Sequence, residues 1–153
     1  ALSPQSAFQI IQGLETVSLR MEKHCANAAK VAEYLSSHNK VSRVIYAGLD
    51  EGEAGDRANK YLKGGHGALC GFELKGGKSS GEKFINNLNM FYHVANIGDA
   101  RSLAIHPATT THSQLSDEDM ESAGVNPSYV RLSIGIEHID DILNDLKNAL
   151  DAA

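Results

Sequence analysis

The run from Val130 to Leu150 constrains the fold most strongly. Val130, Leu132 and Ile134 alternate with Arg131 and Ser133, the period-2 pattern of a strand with one buried face. Ile139, Ile142, Leu143, Leu146 and Leu150 then recur at helical spacing and form one apolar stripe. The stripe predicts a helix laid over the strand's apolar face, with Arg131 and Ser133 turned to the other side. Asp140 and Asp141 at the start of this helix, and Lys147 near its end, suit the helix macrodipole.

Upstream residues follow the same logic. Ser3-Pro4 reads as an N-cap followed by a first-turn proline, with Phe8, Ile11 and Leu14 at helical spacing and Gly13 interrupting them. A second helix is predicted from Thr16 to Ser37, with Met21, Ala28, Val31, Ala32 and Leu35 as its stripe, closed by His38-Asn39-Lys40. Val41 to Tyr46 and Ala68 to Leu74 read as strands, the second with Cys70, Phe72 and Leu74 on one face. Between them, residues 47–67 are punctuated by glycine and admit a short helix from about Asp56 to Leu62. Ser79-Ser80 offers N-caps for a helix carrying Phe84, Ile85 and Leu88, and Tyr92–Ile97 and Ser102–Ile105 are strand-like around Gly98-Asp99. Ser116 caps a short helix with Asp119 in the capping-box position and Leu115 placed to staple onto Met120; Gly124 ends it. The pattern predicts an α+β domain with a small, mainly antiparallel sheet and helices packed on one side.

A chain of 153 residues fits one domain, residues 1–153, and 42% hydrophobic with 22% charged residues is globular composition. No run approaches the ~18 apolar residues a membrane span needs. The net charge of −5 disfavours nucleic acid, which demands a basic face. Cys25 and Cys70 form no CxxC pair and read as reduced thiols of a cytoplasmic protein. No secretory leader is visible, and the start at Ala1 rather than Met suggests a piece excised from a longer polypeptide.

Much familiar chemistry does not form. Gly77-Lys78-Ser79 resembles the end of a phosphate-binding loop, but Phe72 stands where that loop requires glycine. Gly65-His-Gly67 starts like a dinucleotide fingerprint, yet Cys70 occupies the third glycine position and the run precedes a strand. The seven histidines show no ligand spacing, so no metal site is expected, and Ser113 beside His112 lacks a nucleophile-elbow context. Arg131 remains open to two readings: a planar fork for an anion, or a surface arginine on a solvated sheet face.

A resemblance carries the reading further. Leu2-Ser-Pro4, Gly13-Leu-Glu-Thr16, Leu19-Arg-Met21 with His24, Asn96-Ile-Gly-Asp-Ala-Arg-Ser102-Leu103, His106-Pro-Ala108, Thr109-Thr-Thr-His-Ser-Gln114 and Arg131-Leu-Ser-Ile-Gly135 occur in one order along nearly the whole chain. They resemble the C-terminal, small domain of the Cys/Met-metabolism enzymes that use pyridoxal 5′-phosphate (PLP), within the aspartate-aminotransferase-like, fold-type I superfamily. Within that family the Asn96–Ser102 and Thr109–Gln114 segments look most like O-acetylhomoserine sulfhydrylases. Cystathionine synthases and lyases more typically carry Glu where Arg101 stands and Ser-Met where Thr109-Thr110 stands. Methionine γ-lyases resemble those.

The resemblance implies a PLP-dependent γ-replacement in which acetate leaves O-acetylhomoserine and sulfide or a thiol adds, as in methionine biosynthesis. It implies that Arg131 clamps the substrate α-carboxylate, that Ser102 assists through its N–H or hydroxyl, and that His106, Thr111 and His112 stand behind them in structural roles. It also implies a lysine bonded to PLP in a large N-terminal domain that this chain does not include, so that this piece alone holds no covalent cofactor and is inactive. That large domain would be its partner, in a homotetramer. The alternatives are the same domain of a cystathionine γ-synthase or methionine γ-lyase, or a non-catalytic interaction module sharing the fold.

Overall fold

The computed structural model describes the chain from Ala1 to Ala153, the side chain of Asp117 excepted. Pro4–Glu15 (α1) begins at Ser3, whose Oγ accepts the Ser6 N–H at 3.0 Å. Val17–Ser37 (α2) follows after a single residue, and Arg20 splints the junction by donating to Thr16 Oγ1 and to the Gly13 carbonyl. None of the α1 side chains is buried, whereas α2 buries Ala28, Val31, Ala32 and Leu35 at its C-terminal half. Met21, expected on the same stripe, is exposed, because the buried positions of α2 begin only at His24.

Five strands make one sheet in the order β1-β2-β5-β4-β3: Val41–Ile45 (β1), Leu69–Leu74 (β2), Tyr92–His93 (β3), Leu103–Ile105 (β4) and Tyr129–Ser133 (β5). β1, β2, β5 and β4 pair antiparallel in turn, and β3 joins β4 in parallel, so the sheet is mixed. Gly52–Tyr61 (α3) lies between β1 and β2, Gly77–Asn86 (α4) follows β2, Asp117–Ser122 (α5) precedes β5, and Ile139–Ala152 (α6) closes the chain.

The core lies on one sheet face. Cys70, Phe72, Leu74, Val130 and Leu132 pack there against Val31 and Leu35 of α2, Phe84 of α4 and Ile142, Leu146 and Leu150 of α6. Phe72 and Phe84 meet edge to face, ring centroids 5.2 Å apart. Burial pushes the Cys70 thiol up to about 12, so it behaves as a small apolar side chain.

Local chemistry explains where elements differ from expectation. α4 starts at Gly77, not at Ser79-Ser80; Ser80 instead lays its hydroxyl where a Cβ on Gly76 would stand, 1.9 Å away, so the glycines let the chain turn straight into the helix. β3 stops at His93 because short turns take over: Val94 N–H donates to the Tyr92 carbonyl and Asn96 N–H to the Val94 carbonyl. α3 starts earlier than Asp56, at Gly52, where φ is +60°. The Ser116 cap forms as expected, accepting the Asp119 N–H at 3.1 Å, and Gly124 with φ +74° follows the helix end.

Two polar ties fix α6. Lys40 Nζ donates to the carbonyls of Leu150, Asp151 and Ala153 at 2.8, 3.0 and 2.9 Å, closing its C-terminal end. Asp145, 7% exposed, accepts the N–H groups of Asn89 at 2.9 Å, Met90 at 2.9 Å and Phe91 at 3.3 Å. A carboxylate gathering three amides holds the α4–β3 turn onto α6. Asp145→Ala strands those donors and should lower unfolding free energy by ~3 kcal/mol in urea denaturation. Asp151→Ala, which breaks only the exposed Lys147–Asp151 pair at 2.8 Å, should leave the midpoint unchanged.

Candidate functional site

The Asn96–Ser102 segment and the strand that carries Arg131, with the residues that follow it, run side by side in the structure. Asn96 O accepts from Arg131 Nη2 at 3.4 Å, Gly98 N–H reaches Ser133 Oγ at 3.4 Å, and Ala100 O accepts the Ile136 N–H at 2.9 Å. At the end of this zipper Ser102 donates to Glu137 twice, N–H to Oε1 at 2.6 Å and Oγ–H to Oε2 at 2.9 Å, while its Oγ accepts the Gly135 N–H at 2.9 Å. A Cβ on Gly135 would lie 2.2 Å from Glu137 Oε2 and 2.5 Å from Ser102 N, so this knot closes only around glycine. Behind it, His24 Nδ1 donates to the Ile134 carbonyl at 2.6 Å, and Asn27 Nδ2 donates to those of Gly135 and Glu137 at 3.0 and 2.9 Å.

Ser102, expected beside Arg131, lies inside this knot. It is fully buried, and both its donors are taken by Glu137. It therefore braces the exit from the strand that carries Arg131. Asn96 and Glu137 are the residues that sequence reasoning left without a role.

Arg131 sits mid-strand in β5, opposite Gly71 on β2 and Ile105 on β4, on the sheet face away from the core. Its Nε is enclosed yet has no hydrogen-bond partner, so one donor of the fork is left for another group. The side chain lines a cleft of about 450 Å³ with Arg43, Tyr129, Thr111 and His112, walled by Ile105, Pro107 and Val125. Thr111 and His112, linked at 2.8 Å, thus meet Arg131 at the cleft. The second guanidinium, Arg43, faces Glu73 at 3.7 Å, and Asn126 Nδ2 also reaches Glu73 at 3.4 Å.

His106 does not reach the cleft. It is fully buried, its Nε2 donating to the Pro127 carbonyl at 2.8 Å and its Nδ1 accepting from Thr109 Oγ1 at 3.0 Å. Gly81 of α4 makes room for it, since a Cβ there would stand 2.3 Å from Nε2. Desolvation holds the imidazole below its ordinary range, outweighing the opposing Pro127 bond. Within this chain both ring nitrogens are thus engaged by neighbouring protein groups.

The model of the Cys/Met metabolism PLP-dependent enzymes matches residues 1–151. The chain belongs to this family. An O-acetyl-L-homoserine sulfhydrylase of Leptospira meyeri is 55% identical over 98% of the chain, and a homocysteine synthase of Schizosaccharomyces pombe is 48% identical over 99%. An L-methionine gamma-lyase of Fusobacterium nucleatum subsp. polymorphum is 43% identical over 98%. The chain spans 34, 35 and 38% of these proteins' lengths, about a third. A crystal structure described as an O-acetylhomoserine (thiol)-lyase of Campylobacter jejuni, with a lysine carrying the pyridoxyl monophosphate group, superposes with a TM-score of 0.88 at 42% identity, covering 99% of this chain and 36% of that one.

The family depends on PLP, whose aldehyde is held by a primary amine. The cleft lining supplies guanidinium, imidazole, phenol, hydroxyl and amide groups and the Glu73 carboxylate, but no lysine, so the covalent anchor of the cofactor does not fit this cleft. Among the described residues no helix is long and apolar enough to cross a membrane.

The burial of neutral His106 has a measurable sign. Unfolded chains take up its proton near 6.5, while the folded chain resists to lower pH. The stability tied to neutral His106 is complete above that value and is lost as pH falls through the folded value. Between pH 7 and 5, urea midpoints should fall more steeply for the native chain than for His106→Asn. Parallel slopes would refute the assignment.

Proposed function

We propose that residues 1–153 form the C-terminal, substrate-carboxylate-binding domain of a PLP-dependent O-acetylhomoserine sulfhydrylase, beside a large N-terminal domain that bears the cofactor lysine. In the complete enzyme, which we take to be a homotetramer, acetate is displaced from O-acetylhomoserine by sulfide or a thiol. The observation that carries the reading is the Arg131 fork, held at one nitrogen by Asn96 O and enclosed but unpartnered at Nε. The names of the relatives support the substrate, and the likeness over nearly the whole chain supports the family fold.

The electron-sink chemistry is the cofactor's; binding and orientation fall to protein groups. Arg131 receives the α-carboxylate in two charge-assisted hydrogen bonds and fixes the amino acid's direction. The zipper from Asn96 to Ser102 keeps the guanidinium from swinging with its flexible stem. Thr111 and His112 add hydrogen-bonding rim, and the apolar wall of Ile105, Pro107 and Val125 lowers the local dielectric around the ion pair.

In the complete enzyme, Arg131→Ala should cost ~3–5 kcal/mol in transition-state binding, about 10²–10³-fold or more in kcat/KM, at unchanged PLP content. Arg131→Lys keeps charge but not the fork and should recover part of the loss. A kcat/KM within about threefold of the parent for Arg131→Ala would refute the clamp. The isolated chain, treated with PLP and borohydride, should show no stoichiometric adduct at any one lysine by mass spectrometry; a single fully labelled lysine would contradict the assignment of the cofactor to another domain.

A further inference from the structure

Arg131 has a neighbour whose placement depends on a missing side chain. Tyr129 lies two residues before it on β5, hence on the same sheet face. Its ring does not stand away from the sheet but lies toward Gly71: a Cβ on Gly71 would be 2.5 Å from the Tyr129 hydroxyl oxygen, 2.5 Å from Cε2 and 2.8 Å from Cζ. Gly71 is also the residue directly opposite Arg131. The phenol therefore occupies the space beside the arginine that any side chain at position 71 would fill. Gly71 has no positive φ, so nothing in the backbone requires glycine; the requirement comes from the ring alone.

β5 lies between β2 and β4, so Arg131 is flanked from the β2 side by this ring and from the β3–β4 side by the Asn96 carbonyl. Tyr129 and Arg131 together line both the 450 Å³ cleft and the neighbouring cavity of about 400 Å³ that reaches Tyr46 and His66, forming the ridge between them. A free arginine on that ridge could turn into either space. We propose that Tyr129, seated in the gap left by Gly71, is a positioning residue that confines the Arg131 guanidinium to the Asn96 side. The electrostatics agree: burial raises the Tyr129 hydroxyl above its ordinary range, and the Arg131 charge pulls it back, as two groups in proximity require. This inference rests on Arg131 being the carboxylate anchor.

The test is a double-mutant cycle in the complete enzyme, with KM and kcat read separately. Gly71→Ala displaces the ring and Tyr129→Ala removes it; each should raise KM for O-acetylhomoserine about tenfold while kcat changes less, since a loosened anchor costs binding and orientation. Tyr129→Phe keeps the ring and should restore KM to near the parent value. In the Tyr129→Ala background, Gly71→Ala should add nothing, because its effect passes through the ring; an equal further rise would overturn the proposal. In this chain, the Arg131 Nε–H resonance should be single and sharp in the parent and in Tyr129→Phe but broadened in Gly71→Ala. An unchanged resonance in Gly71→Ala would also overturn it. The two readings fail separately: an inert Arg131→Ala removes the anchor itself, whereas a damaging Arg131→Ala with silent Gly71→Ala and Tyr129→Ala removes only the role of the phenol.

Discussion

The carboxylate of Glu137 folding back onto Ser102 is the contact on which the site depends. It accepts both donors of a fully buried serine, and that serine in turn accepts the amide of Gly135. Three chain segments, the lead into β4, the exit from β5 and the entry to α6, are thereby locked in one place. Because the bonds to Glu137 are charge-assisted and sheltered, they are worth more than neutral surface contacts. His24 and Asn27 of α2 grip the same turn from behind. Register along Asn96–Ser102 follows from this anchor, and with it the carbonyl that steers Arg131.

The two sheet faces divide the labour. One face spends Phe72, Val130 and Leu132 on the core with α2, α4 and α6. The other carries Arg43, Glu73, Tyr129 and Arg131 in two adjacent rows, Arg43–Glu73–Tyr129 and Ile45–Gly71–Arg131–Ile105. Strand alternation alone delivers this separation, so a rigid apolar layer stiffens the backbone from which the polar side chains project. The arginine that faces a carboxylate within the chain, Arg43, differs in kind from the one left with an open donor, Arg131.

Legibility in the sequence followed physical scale. The α6 stripe, the alternation around Arg131 and the caps at Ser3 and Ser116 are local patterns, and each was readable because period and capping act within a few residues. The start of α4 was misread because serines are good caps in isolation, while here Gly76 and Gly77 permit a tighter turn. Met21 was misread because periodicity marks a stripe but not where along it burial begins. The fate of Ser102 was invisible for a deeper reason: its partner Glu137 is distant in sequence, and no pattern announces which carboxylate will find a buried hydroxyl. Arg131 itself was placed on the correct face by alternation, whereas its significance came from resemblance.

The strand order has a consequence for how the chain reaches this state. β5 is the last strand in sequence yet lies between β2 and β4, both made earlier. Its insertion completes two ladders at once, so the sheet cannot zip outward from a hairpin and must wait for a long loop to close. Until Tyr129–Ser133 arrives, the flanks of β2 and β4 are open edges that another chain could pair with. Completion of the sheet and assembly of the Arg131 cleft thus depend on the same strand, and whatever keeps β5 out leaves open strand edges in place of a half-made site.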